Sequence, residues 1–325
     1  MSDTIVAMDP RLFALCRARG CFLRRDALEL GYGDGEIARL VRDGLWVRLR
    51  HGAYTLAAFW HDAGSTARHL MVSRAAQRTA QTGAILSHTS SLCALGVDFW
   101  GLPLDDVHLT RRDGRVGRRG AGVVQHCGTV VAGDVIDDGG FAHMSPTRTA
   151  LEITMMTDVE RGLVVVNSFL HAGMTTVDEL RSRYAAMEQW PHSLQTDLVL
   201  RLCDPRPESV AETRCDVLFF RQGLPRPVPQ FEVRDGSGRL IGRLDFAWPP
   251  LGVWLEFDGR VKYDQLRRSG ETEVDVLMRE KRREELIREV TGWECIRITW
   301  ADLAHPERVA ARIRAAFARS ARRQG

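Results

Sequence analysis

The stretch that most constrains this chain is Leu244–Tyr263, LDFAWPPLGVWLEFDGRVKY. Two apolar runs flank Pro249, Pro250, Leu251 and Gly252, a composition that turns the chain instead of continuing an element. With that loop, Trp248 faces Val253, and the register runs 247 with 254, 246 with 255 and 245 with 256. Period-two alternation puts Val253, Leu255 and Phe257 on one face and Glu256 and Asp258 on the other. Asp245 then lies directly opposite Glu256, so three carboxylates converge on one side of a half-buried hairpin.

Like charges facing one another across a sheet repel, and apolar surroundings raise the cost of ionising them. Two remedies exist, a shared proton or a bound cation. A hard, oxygen-preferring ion such as Mg²⁺ or Mn²⁺ suits paired carboxylates, whereas zinc would want the His or Cys that this stretch lacks. The competing expectation is that each acid pairs with an arginine, such as Arg243 or Arg260, and does no chemistry. The only lysines in the chain, Lys262 and Lys281, both fall just after the hairpin, while every earlier Lys/Arg position is arginine. A lysine amine is a compact charge able to orient an attacking water or neutralise developing negative charge, and either lysine is in sequence reach of the carboxylates.

The hairpin sits in a longer pattern. Pro207 suits a helix start and Gly223 a helix end. Strands are predicted over Pro229–Arg234, Arg239–Trp248 and Val253–Asp258, a helix over Asp275–Val290, a strand over Glu294–Trp300 and a helix over Pro306–Ala318. Three meandering strands, a crossover helix and a fourth strand make an α/β layer structure.

At the other end, residues 9–19, 25–30 and 35–43 read as three short helices. GLWVRLRHGAYTL follows as a β-hairpin around Arg50, His51 and Gly52. Helix, helix, helix, hairpin is the layout of a winged helix-turn-helix. The third helix would present Glu36, Arg39 and Arg42 to a major groove, and Arg48, Arg50 and His51 on the wing would meet phosphates. The competing expectation is a small domain that packs against protein. Between the two ends the chain is mixed, with helices near residues 65–81 and 145–156, short strands at 107–110 and 123–126, and a basic glycine-rich loop, RRDGRVGRRGAG. His88, beside Ser87 and Ser90, is read as a structural Ser-His pair at a helix start.

The net charge of +3 does not by itself call for nucleic acid, so any such signal is local. No run approaches the ~18 apolar residues of a membrane helix, and a cytoplasmic protein is expected. Seven scattered cysteines, none spaced as CxxC, read as reduced thiols.

Asp245 and Glu256 on adjacent strands, with Glu208 and Glu212 on the preceding helix, resemble the PD-(D/E)XK nuclease superfamily. LDFAWPPLGVWLEFDGRVKY, REKRREELIRE and GWECIRITWADL look more narrowly like actinobacterial domains related to very-short-patch-repair endonucleases, over roughly residues 207–320. The resemblance implies Mg²⁺-dependent phosphodiester hydrolysis, with Asp245, Glu256 and Glu212 as metal ligands; strand alternation, not the resemblance, adds Asp258 as a further candidate ligand on the Glu256 side. It also implies a lysine two residues after the second acid. That position here is Asp258, so the amine is either displaced to Lys262 or Lys281, or lost together with cleavage. GCFLRRDALELGYGDGEIARLVRDGLWVRLRHGAYTL, LSHTSSLCALGV and SPTRTALEI resemble AbiEi-type antitoxins, which implies DNA as a partner, with a cognate toxin or defence-system protein beside it.

The expectation is therefore an α/β multi-domain chain: a winged helix-turn-helix over 1–60, an AbiEi-like mixed middle domain and helical connector over 61–205, and a restriction-endonuclease-like αβββαβ sandwich over 206–325. The expected activity is that of a DNA-binding Mg²⁺-dependent endonuclease in phage defence or DNA repair. The alternative is an AbiEi-type repressor or antitoxin with an inactive nuclease-like domain. An oligomer is compatible with either.

Overall fold

Asp9 accepts the Arg11 N–H and, with Pro10 in the first turn, starts helix α1 (Pro10–Arg19). Gly20 ends it at φ 70°, where an added Cβ would lie 3.2 Å from Met71 Cγ. In this computed structural model residues 9–80, 83–187, 190, 193–259 and 272–324 are described. The chain divides into two units, Met1–Val97 with Gly101–Arg201 and Asp98–Trp100 with Leu202–Gly325. No helix among the described residues is long and apolar enough to cross a membrane.

In the first unit, α1 is followed by β1 (Phe22–Leu23), α2 (Arg24–Glu29), α3 (Asp34–Arg42), β2 (Trp46–Arg50) and β3 (Ala53–Leu56). The strands form a sheet in the order β1-β3-β2. Leu12, Phe22, Ile37, Leu40, Trp46 and Leu56 close a core beneath it, each such side chain contributing on the order of 1.5–3 kcal/mol. After α4 (Ala57–His61), α5 (Ser65–Thr79) packs on this module through Ala75 and the ion pair Arg78–Asp26 at 2.7 Å. Winged helix and middle segment thus lie in one unit.

The middle segment is built on a six-stranded mixed sheet. Its elements are β4 (Ile85–Leu86), α6 (His88–Leu95), β5 (Val107–Thr110), β6 (Arg118–Gly120), β7 (Val123–His126), β8 (Val135–Asp138) and β9 (Phe141–Met144). The strand order is β6-β7-β5-β4-β9-β8, with β5 parallel to β7 and β4 parallel to β9. Helices α7 (Pro146–Met156), α8 (Val159–His171), α9 (Val177–Ala185) and α10 (Ser193–Leu202) follow. Ser145 caps α7 by accepting the Arg148 N–H, with Pro146 in the first turn.

The second unit runs α11 (Val210–Arg221), β10 (Val228–Arg234), β11 (Leu240–Trp248), β12 (Val253–Phe257), α12 (Glu273–Thr291), β13 (Glu294–Ile298) and α13 (Pro306–Gln324). The sheet order is β10-β11-β12-β13, antiparallel except for the last pair, which the α12 crossover makes parallel. The hairpin register 248–253, 247–254 and 246–255 is as the Pro-Pro loop requires. One face, with Phe246, Trp248, Val253, Leu255 and Phe257, packs against Cys215 and Phe219 of α11 and Val309 and Ile313 of α13. Trp254, Ala247 and Ile287 form a second cluster with α12.

Candidate nucleic-acid interface and carboxylate cluster

The four arginines expected to meet DNA occupy different situations. On α3, Arg39 lies between Glu36 Oε1 at 3.7 Å and Asp43 Oδ2 at 3.4 Å, so its charge is largely spent within its own helix. Arg42 and Arg48 are exposed, and Arg48 Nη2 lies 2.9 Å from His51 Nδ1 at the wing tip. Arg50 is half-buried, and burial pulls its guanidinium pKa down. It lines a groove of about 960 Å³ together with Arg111, Arg115, Arg118, Arg119 and Gln125.

That groove is the use the fold finds for the glycine-rich loop, to which sequence reading gave no role. Asp113 holds Arg111 at 2.5 Å and Asp106 holds Arg119 at 2.5 Å. Arg118 donates to the neutral Gln125 at 3.0 Å, and Arg115 reaches Asp113 only at 3.9 Å. The wing and the groove are thus joined at Arg50 into one positively biased surface, suited to a phosphate backbone.

In the second unit Asp245 and Glu256 lie on adjacent strands, but the β11–β12 ladder stops at 246–255. Beyond it, Asp245 Oδ2 accepts the Phe257 N–H at 2.8 Å. Burial, then the Asp245 charge, pushes the Glu256 carboxyl up to about 8, against the pull of Arg283. Arg283 Nη2 donates to Glu256 Oε1 at 3.0 Å and Nη1 to the Arg243 carbonyl at 3.2 Å. An arginine does pair with Glu256, but it comes from α12; Arg243 pairs with Glu208 at 2.6 Å, and Arg260 lies outside the described residues.

Glu212 is buried and fully engaged. Its Oε1 accepts from Ser209 Oγ at 2.8 Å, and its Oε2 from the Glu208 N–H at 2.9 Å and Gln230 Nε2 at 2.7 Å. Gln230 holds φ at 52°, in the left-handed region, between the ladder pairs Pro229–Phe246 and Phe231–Leu244. Asp216, four residues after Glu212 on α11, is pushed up to about 7 by burial and by the Asp204 charge. Asp258 follows β12 directly and donates its N–H to the Ile298 carbonyl at 2.8 Å. Lys281 is exposed on α12, and Lys262 lies outside the described residues.

The oxygen donors are of the kind Mg²⁺ takes, and Asp245 with Glu256 supplies two of them. Among the described residues, Asp245, Glu256, Asp258 and Glu212 do not bring three ligand atoms within 4.8 Å of one another. Of the Asp245–Glu256 pair, one oxygen of Asp245 is already taken by the Phe257 N–H and one of Glu256 by Arg283.

His88 is the first residue of α6, and its Nδ1 lies 3.1 Å from Ser87 Oγ, the Ser-His pair expected there. The carboxylate that spacing did not supply is Glu152 of α7, whose Oε2 accepts the His88 N–H at 3.0 Å. Arg148, fully buried under Trp190, ties Glu152 at 2.9 Å to Asp134 at 3.2 Å.

Two comparisons bear on these sites. The family described as "Transcriptional regulator, AbiEi antitoxin" matches residues 10–57, α1 through β3 and into α4. Two uncharacterized proteins of Mycobacterium tuberculosis, from strains CDC 1551 / Oshkosh and ATCC 25618 / H37Rv, are each 26% identical over 170 residues, 52% of this chain. The chain covers 59% of the length of these relatives. The family match ends before both the arginine-lined loop and the carboxylate pair, and what it identifies is an AbiEi antitoxin-like domain at residues 10–57.

Proposed function

We propose that this chain is a DNA-binding transcriptional regulator of the AbiEi-antitoxin type, acting in the cytoplasm on an operator with a cognate toxin as its protein partner. The observation that carries the reading is the family match over residues 10–57, which falls on the module whose Arg42 and Arg48 are exposed and whose Arg50 opens into the arginine-lined groove. Division of labour follows the expected boundaries: a DNA-reading module over 1–60, an AbiEi-like middle segment over 61–205 that extends the phosphate-binding surface, and a nuclease-like module over 206–325. Phosphate contacts give affinity and orientation, while Arg42 at the end of α3 is the candidate for base contact. The test is fluorescence anisotropy with promoter DNA across a salt series. Binding that falls steeply with salt, and less steeply in Arg48→Ala, supports the reading; salt-independent or absent binding removes it.

For the second unit we favour a non-cleaving module with the restriction-endonuclease-like arrangement. Its αβββαβ order and mixed sheet agree with that fold. Against cleavage stand Asp258 in place of the expected lysine, Arg283 seated on Glu256, and Glu212 bound by its own helix start and by Gln230. One observation favours the endonuclease reading instead. Glu256 raised to about 8 beside Asp245 describes a pair that a divalent cation would relieve. In that reading Asp245 and Glu256 would hold Mg²⁺ or Mn²⁺, an ion that supplies an activated water for phosphodiester hydrolysis, and Lys281 is the described lysine nearest in sequence to assist. Isothermal titration with Mg²⁺ and Mn²⁺ separates the two, since only the endonuclease reading expects binding that Asp245→Asn abolishes.

A further inference from the structure

We propose that His88, His108 and His126 form a binding site for a zinc-class divalent ion in the first unit. The three side chains come from three elements: His88 opens α6, His108 lies on β5 and His126 ends β7. In the parallel β5–β7 register His126 stands beside Thr110, two residues after His108, so alternation puts both imidazoles on one face of the sheet. His88 stacks on His126 on that face, with ring centroids 3.8 Å apart. Each residue offers one ligand atom, and these atoms all lie within 4.8 Å of one another; His108 Nδ1 and His126 Nε2 are 2.8 Å apart. A tetrahedral ion with metal–nitrogen bonds of about 2.0–2.1 Å holds its nitrogens ~3.3 Å apart. The His108–His126 separation is ~0.5 Å short of that edge, and the His88 ligand atom lies within 4.8 Å of both, so side-chain adjustment is enough to close the site.

The three rings also stand in the protonation state that a metal takes. Burial first, and then neighbouring positive charge, holds His88 down to about 3 and His108 and His126 down to about 4. Neutral imidazole is the ligand form, so an ion displaces no proton from them at neutral pH. Behind the cluster, Glu152 Oε2 lies 3.5 Å from His88 Nδ1, and Arg148 fixes that carboxylate from its other oxygen. A carboxylate behind a ligating histidine fixes the ring and raises its basicity. His88 also holds φ at 51°, an uncommon conformation that presents its ring to the other two. All three residues are half-buried, leaving an approach from solvent. Three imidazoles select zinc-class ions over Mg²⁺ or Ca²⁺, and leave a fourth position for water or an incoming ligand.

The test uses the untagged full chain, stripped with chelator and titrated with Co²⁺ and then Zn²⁺. The expected result is a single Co²⁺ per chain with the intense visible bands of a four-coordinate nitrogen site, displaced stoichiometrically by Zn²⁺. His126→Ala abolishes the bands, and Glu152→Gln weakens binding by about 10- to 100-fold. Zinc-edge X-ray absorption of the wild-type protein, which depends on no variant, reads three imidazole neighbours. Absence of binding by the wild type, a six-coordinate oxygen spectrum, or undiminished bands in a His126→Ala protein with unchanged circular dichroism overturns the proposal.

Discussion

Glu256→Gln is the substitution for which the structure gives the clearest sign. Its carboxyl stands at about 8 against an ordinary 4.5, because burial and the Asp245 charge disfavour ionisation more than Arg283 favours it. The folded chain therefore keeps a proton that the unfolded chain releases above 4.5. The stabilisation this confers is fully present below 4.5 and is lost as pH rises to about 8. The gap corresponds to about 5 kcal/mol at most, since one pKa step is worth about 1.4 kcal/mol. Glutamine cannot ionise and still offers Arg283 a carbonyl oxygen, so the variant loses that part of the slope. Asp216, held near 7, adds to the same window and remains in both proteins, which makes the difference between them the measured quantity. Urea unfolding followed by tryptophan fluorescence at about pH 5.5 and about pH 8.5 reads it, with Trp248 and Trp254 buried beside the sheet as reporters. A variant whose stability falls with pH as steeply as that of the wild type refutes the reasoning.

Three further outcomes follow from other parts of the molecule. Arg148→Met leaves Glu152 buried without its cation and removes the contact with Trp190, and is expected to destabilise the chain by ~3–5 kcal/mol in a denaturant titration. His88, His108 and His126 titrate in the opposite sense from Glu256: all three sit below the usual 6.5, so the stability they allow is present above 6.5 and is lost as pH falls toward about 4. Thermal unfolding between these limits should show a steep acid loss that His126→Gln makes shallower. Arg42→Ala and Arg48→Ala are each expected to reduce the slope of log K against log salt by ~1 if the side chain meets a phosphate, whereas Arg42→Ala should also relax sequence preference if it meets a base.

The local code explains which features could be read from sequence. The Pro-Pro-Leu-Gly loop fixed the register of β11 and β12, because a short loop between alternating strands leaves little choice. Helices α1 and α7 were legible to within a residue because their ends are set by Asp9, Gly20 and Ser145, whose capping chemistry acts within a few residues. Strand β1 was invisible, since Phe22 and Leu23 show no alternation on their own and become a strand only by pairing with Tyr54 and Ala53. Partners chosen across the fold were equally hidden. Arg283 reaches Glu256 from a crossover helix, and Glu152 reaches His88 across the middle sheet. The three histidines lie in segments of unrelated pattern, and nothing before the β5–β7 pairing brings them together.

The central claim is that the first unit holds DNA and the second does not cut it. The most direct measurement is a single gel assay, in which supercoiled plasmid is incubated with the full chain at low salt in Mg²⁺ or Mn²⁺ and resolved before and after protein removal. The account predicts a retarded complex that returns intact supercoiled plasmid when the protein is stripped, and that is weakened by Arg48→Ala. Nicked or linear plasmid appearing only with metal, and disappearing with Asp245→Ala, would contradict it.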